Sequence, residues 1–74
     1  MSNFKVSDAD KEKLGSLALV IKEQTEIFLL DNDAFINKGN KQAAKRARVA
    51  SLKAGKAAKQ YRAESMRVLT PPTA

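Results

Sequence analysis

The sequence predicts an all-α fold: an antiparallel two-helix hairpin that pairs into a dimeric four-helix arrangement. Three observations lead there. Only three glycines and two prolines occur among 74 residues, and alanine, lysine, leucine and glutamate dominate, so the local preference is helical over most of the chain. Apolar side chains recur at intervals of three and four, the spacing of an amphipathic helix. One cluster, Asn37-Lys38-Gly39-Asn40, breaks that rhythm near the midpoint, and two helices joined by so few residues must run antiparallel as neighbours.

Helix one is expected over about 7–37. Ser7 offers a side-chain oxygen to the free amides of a helix start, and Asp8, Asp10 and Glu12 favour the positive end of the helix dipole. Leu14, Leu17, Ile21, Gln24, Phe28 and Phe35 then define one face, widened by Val20, Ile27 and Ala34. Gly15 lies inside this helix and costs it up to about 1 kcal/mol against alanine. In the turn, over 37–40, Gly39 can take the left-handed conformation that ends a helix, and Asn40 can cap the next.

Helix two is expected over about 40–68, followed by a flexible tail over 69–74 in which Pro71 and Pro72 cannot continue it. Projected at 100° per residue, Ala43, Ala47, Ala50, Ala54, Ala57 and Tyr61 fall within roughly 40° of one line. This alanine seam lets another helix approach closely, so Leu17, Ile21, Phe28 and Phe35 are expected over and beside it. Tyr61 lies on the seam and is read as packing against helix one rather than stacking on a base. Leu19 and Leu30 on helix one, and Leu52 and Met66 on helix two, fall away from the seam. A lone hairpin leaves them exposed. One domain of this size buries only a modest share of its surface, and with neither cysteine nor histidine no disulfide or thiolate or imidazole metal site can reinforce it. A homodimer is therefore expected.

Charge separates the two halves. Residues 1–37 carry four Lys/Arg against seven Asp/Glu, a net of −3, whereas residues 38–74 carry ten against one, a net of +9. The ten are Lys38, Lys41, Lys45, Arg46, Arg48, Lys53, Lys56, Lys59, Arg62 and Arg67. Lys41, Lys45, Arg48, Lys56 and Lys59 project opposite the alanine seam, with Arg46, Lys53 and Arg62 on its flanks. A helix seeking only solubility would intersperse glutamates four residues before its lysines, and here Glu64 stands alone. Such a strip suits the phosphates of a duplex, where neutralisation releases condensed counterions without any base contact. All ten cations are taken as candidate DNA-binding residues.

Other chemistries fail on the residues. Asp31-Asn32-Asp33 resembles the start of a calcium loop, but Ile36 and Gln42 occupy the positions where glycine and the bidentate glutamate belong. Lys38-Gly39 lacks the spaced glycines and following Ser/Thr of a phosphate-binding loop. No nucleophile has a base beside it. The expectation is a non-enzymatic protein without cofactor or small-molecule substrate. No signal-peptide-like or membrane-length apolar segment occurs, and helix two has no tryptophan or phenylalanine to insert into lipid, so a cytoplasmic protein without a membrane partner is expected.

Residues 35–65 resemble the N-terminal domain of the chlamydial histone-like protein and its bacterial relatives. The resemblance rests on Lys38-Gly39-Asn40-Lys41, Ala43-Ala44, Arg46 and Arg48, Ser51-Leu52-Lys53, Tyr61-Arg62 and Glu64-Ser65. It implies a nucleoid-associated, self-associating helical hairpin that binds and compacts DNA with little sequence preference. Members follow this domain with a long Lys/Ala/Pro-rich tail, where this chain has Thr70-Pro71-Pro72-Thr73-Ala74; DNA binding is therefore expected from helix two itself. The competing expectation is an assembly module whose basic face docks an acidic protein or an RNA-containing particle.

Overall fold

A computed structural model of the chain describes residues 5–69. It contains two helices, α1 (Asp8–Lys38) and α2 (Lys41–Leu69), packed against each other as an antiparallel hairpin. No strand occurs among the described residues. Of the tail expected over 69–74, residues 70–74 lie outside them, and Leu69 belongs instead to α2.

Both helix starts and the turn are fixed by local hydrogen bonds. The Ser7 hydroxyl accepts from the Asp10 amide at 3.2 Å, satisfying one of the amides that a helix start leaves unpaired. α1 runs unbroken through Gly15. It ends at Gly39, whose φ of 65° is left-handed; the Gly39 amide donates to the Phe35 carbonyl at 3.0 Å and the Asn40 amide to the Ala34 carbonyl at 3.3 Å. Any side chain at Gly39 would meet open space, so glycine is required there by its backbone conformation alone. Asn40 Oδ1 then accepts from the Ala43 amide at 3.1 Å, which starts α2 one residue after the chain has reversed.

The interface between the helices is built from alanine. Ala43, Ala47, Ala50 and Ala57 are 0–6 % exposed and are the only buried hydrophobic residues among those described. Ala54, Glu64 and Val68 continue the line at partial burial. The facing stripe of α1 is Asp10, Leu14, Leu17, Ile21, Gln24, Phe28 and Asp31, all half-buried. The α1 stripe advances by alternating steps of four and three residues, and so does the α2 stripe except where it passes the exposed Tyr61, the interval at which a helix keeps one edge toward an antiparallel neighbour. The division of labour is consistent: α1 brings the bulk, α2 brings the flat surface on which bulk can lie.

Phe35 departs from the expected face. It remains 45 % exposed, because at the turn end α2 opposes it with only the alanines of its first turns, and a ring larger than the surface opposite cannot be enclosed by it. Val20 and Ile27, expected to widen the face, are likewise exposed. With one neighbour per helix, no large side chain is surrounded, and Leu19, Leu29, Leu30 and Ile36 also face outward on α1.

A seam of this kind tolerates little added volume. Ala50→Leu, at a position 2 % exposed, is expected to destabilise the hairpin by about 1–3 kcal/mol through overpacking, measured by urea unfolding. An unchanged or raised midpoint would show that α2 does not approach α1 through its alanines.

Candidate nucleic-acid interface

The alanine seam determines which way the cations of α2 face. With Ala43, Ala47, Ala50 and Ala57 turned onto α1, the positions opposite them on the helix point away from the hairpin. Lys41, Lys45, Arg48, Lys56 and Lys59 lie there, and Arg62 is set to one side. Lys38, Arg46, Lys53 and Arg67 complete the ten, and every one of them is exposed.

Two of the ten are tied back to α1. Arg46 Nε lies 3.2 Å from Asp31 Oδ1, and Arg67 Nη2 lies 2.6 Å from Asp10 Oδ1 while its Nε lies 3.0 Å from Glu64 Oε2. Lys13 of α1 completes the second cluster at 2.8 Å from Glu64 Oε1. Lys38, Lys41, Lys45, Arg48, Lys53, Lys56, Lys59 and Arg62 make no ion pair among the described residues. Of the ten, ion pairing among the described residues is thus confined to Arg46 and Arg67, and the outward strip keeps its charge.

The ion pairs share one register. Asp10 with Arg67, Lys13 with Glu64, and Asp31 with Arg46 each have residue numbers adding to 77, as antiparallel partners about a turn at Lys38-Gly39 must. They therefore line a single side of the hairpin. On that side a shallow groove runs between the helices, floored by Gln24, Ile27, Val49 and Ala50 and rimmed by Lys45, Arg46 and Lys53. At the open end, on the other side, Tyr61 lines a second apolar cleft with Leu14, Val68 and Leu69 and stays 37 % exposed rather than buried on the seam.

The Asp10–Arg67–Glu64–Lys13 cluster clasps the open end, where the start of α1 meets the end of α2. The Arg67 guanidinium, and after it the Ser7 hydroxyl, hold the Asp10 carboxyl below its ordinary value. Lys13, and after it Arg67, do the same for Glu64, and the guanidinium is pushed further from deprotonation, Asp10 contributing most. Sequence reasoning assigned Arg67 to the DNA-binding set and found no partner for Glu64. The available signal was the register, since a turn at Gly39 places 64 beside 13 and 67 beside 10.

The acids of Asp31-Asn32-Asp33 lie within a helix rather than a loop. Asp31 pairs with Arg46, and Asp33 accepts from Asn37 Nδ2. Among the described residues no group of three carboxylates could hold a metal ion, and no helix is long and apolar enough to cross a membrane.

Comparison with known proteins fits this geometry. Residues 17–68 match the family model described as histone H1-like protein Hc1. The chain belongs to the histone H1-like Hc1 family. The matched span covers most of α1, the turn and nearly all of α2. No curated protein and no solved structure matches the chain.

The clasp has a definite pH dependence. Carboxyls whose folded values are depressed stabilise the fold above the ordinary carboxylate range, and that contribution is lost as pH falls through the folded values. Acidification is expected to open the hairpin from the Ser7/Leu69 end first, read as early loss of amide-exchange protection around Leu14 and Tyr61, with Asp10→Asn making that end less sensitive to pH. Protection lost first at the Gly39 turn would contradict this.

Proposed function

We propose that the chain is a sequence-independent DNA-binding protein of the bacterial nucleoid, coating or bridging duplexes through the outward face of α2. The observation that carries the reading is that eight cations, Lys38 at the end of α1 and seven along the 29 residues of α2, lie exposed with no carboxylate against them among the described residues. A duplex presents one negative charge per about 1.7 Å of axis, so a cationic strip about 43 Å long meets several phosphates where it crosses the backbone ridges. Arginines at 48 and 62 add the planar fork that matches phosphate oxygens. Membership of a histone H1-like family supports the same partner.

Self-association is part of the proposal. Leu19, Val20 and Leu30 are exposed on α1, the helix that does not carry the basic face. Two hairpins paired through them would form the four-helix arrangement while leaving α2 open to DNA. Such a dimer carries two basic faces and can join two duplexes, or two segments of one.

A second reading, docking onto an acidic protein or an RNA-containing particle, draws on the groove floored by Ile27 and Val49 beneath Lys45, Arg46 and Lys53, which suits an acidic residue beside an apolar one. Nuclease-resistant capture of such a partner would move the assignment there.

Salt dependence is the direct test. With on the order of 5 to 8 phosphates neutralised, log affinity should fall against log salt with a slope of about −0.9 per contact, equally on unrelated duplexes in a mobility-shift series. Binding indifferent to salt, or restricted to one sequence, would overturn the reading.

A further inference from the structure

Half of α2 repeats at an interval of 14 residues: of the fourteen positions over 41–54, seven recur identically or conservatively over 55–68. Ala43, Ala44, Lys45, Arg48 and Ser51 recur as Ala57, Ala58, Lys59, Arg62 and Ser65, and Leu52 and Lys53 as Met66 and Arg67. The structure repeats with the sequence. Ala43 and Ala57 are both buried on α1, Ser51 Oγ donates to the Arg48 carbonyl and Ser65 Oγ to the Arg62 carbonyl, each at 3.0 Å, and Leu52 and Met66 are 67 % and 62 % exposed. Packing accounts for only part of this. A seam advancing by threes and fours returns to the same direction every 7 residues, and so again at 14, which explains recurrence of the alanines. It places no demand on an exposed lysine, arginine and large apolar side chain, yet these recur at the same offsets. In α1, where the seam imposes the same interval, Glu12 and Glu26 are the only exposed residues that repeat.

We propose that α2 carries two equivalent DNA-contact units, Lys45/Arg48/Leu52 and Lys59/Arg62/Met66, in each of which two cations hold phosphates and the apolar side chain beside them meets the sugars and base edges of the groove. This rests on the DNA-binding reading above and refines it. Equivalent atoms of the units are about 21 Å apart along the helix, at 1.5 Å per residue. That separation is too long for neighbouring phosphates of one strand. It is long enough to straddle the roughly 12 Å major groove and reach the phosphate ridge on either side. The apolar members need no particular sequence, since sugars and base edges offer apolar surface at every step, and apolar side chains set among cations recur in proteins that bind DNA by shape. On this account each hairpin grips a duplex twice, and the interval between grips is written into the helix as two heptads.

The test compares the units. Lys45→Gln/Arg48→Gln and Lys59→Gln/Arg62→Gln are prepared in the full chain, with Lys11→Gln/Lys22→Gln on α1 as a control of equal charge change, and helicity is checked for each. The two unit variants should lose affinity by similar factors, on the order of tenfold, and each should flatten the salt slope by about two; the control should do neither. Leu52→Gln and Met66→Gln should each weaken binding with the slope unchanged, because an apolar contact releases no counterions. Losses confined to one unit, with the other dispensable while the unmodified protein binds DNA, would overturn the repeat and leave the DNA reading standing. A change of solution mass in place of affinity for Leu52→Gln or Met66→Gln would overturn the apolar role. Failure of the unmodified protein to bind any duplex would remove both.

Discussion

The close approach of α2 to α1 through methyl groups is the constraint on which the rest of the molecule depends. A helix that packs with alanine gives up little of its circumference to the contact, and the remainder is left to solvent. In α2 that remainder is cationic. A seam of leucines would have held the helices farther apart and widened the buried face into the flanks that carry Lys53 and Arg62. Alanine also has the highest helix propensity and pays no side-chain entropy on burial, so the same residues that make the interface thin keep a helix full of mutually repelling cations intact.

The helices contribute unequally, and the inequality has a functional sense. α1 supplies Leu14, Leu17, Ile21 and Phe28 to cover the alanines, together with the carboxylates that clasp Arg46 and Arg67. Those paired acids lie along one side of the hairpin only. Had α1 placed carboxylates against both flanks of α2, the outward strip would have been neutralised within the particle. The apolar residues that α1 leaves uncovered, Leu30 being 73 % exposed, are the surface on which the proposed pairing of two hairpins rests, and with only alanines buried among the described residues the hairpin has little hydrophobic stabilisation of its own.

The hairpin was legible from local signals because each is a backbone requirement: an oxygen at Ser7, a left-handed residue at Gly39, an oxygen at Asn40. The seam was legible because alanines spaced by three and four align on one edge of a helix, where their small volume suits a close neighbour. Side-chain destinations at the margins were less accessible. Phe35 continues the periodicity of α1, yet the pattern of one helix does not reveal how much surface the other offers at that level, and there it offers alanine. Arg46 and Arg67 share the composition of the outward cations and differ only in register, which becomes fixed once the turn is placed and Asp31 and Asp10 fall beside them. The repeat within α2 lay in plain view but carried no meaning until exposure separated residues the seam requires from those it does not.

The central claim is that the outward lysines of α2 are unneutralised in the free protein and are the groups that meet DNA. Amine-reactive footprinting, with and without a short duplex, addresses it residue by residue. Lys41, Lys45, Lys56 and Lys59 should react readily in the free protein and become protected on the duplex, while Lys11 and Lys22 of α1 remain reactive in both states. Protection appearing on Lys11 and Lys22, or outward lysines already unreactive before DNA is added, would contradict the account.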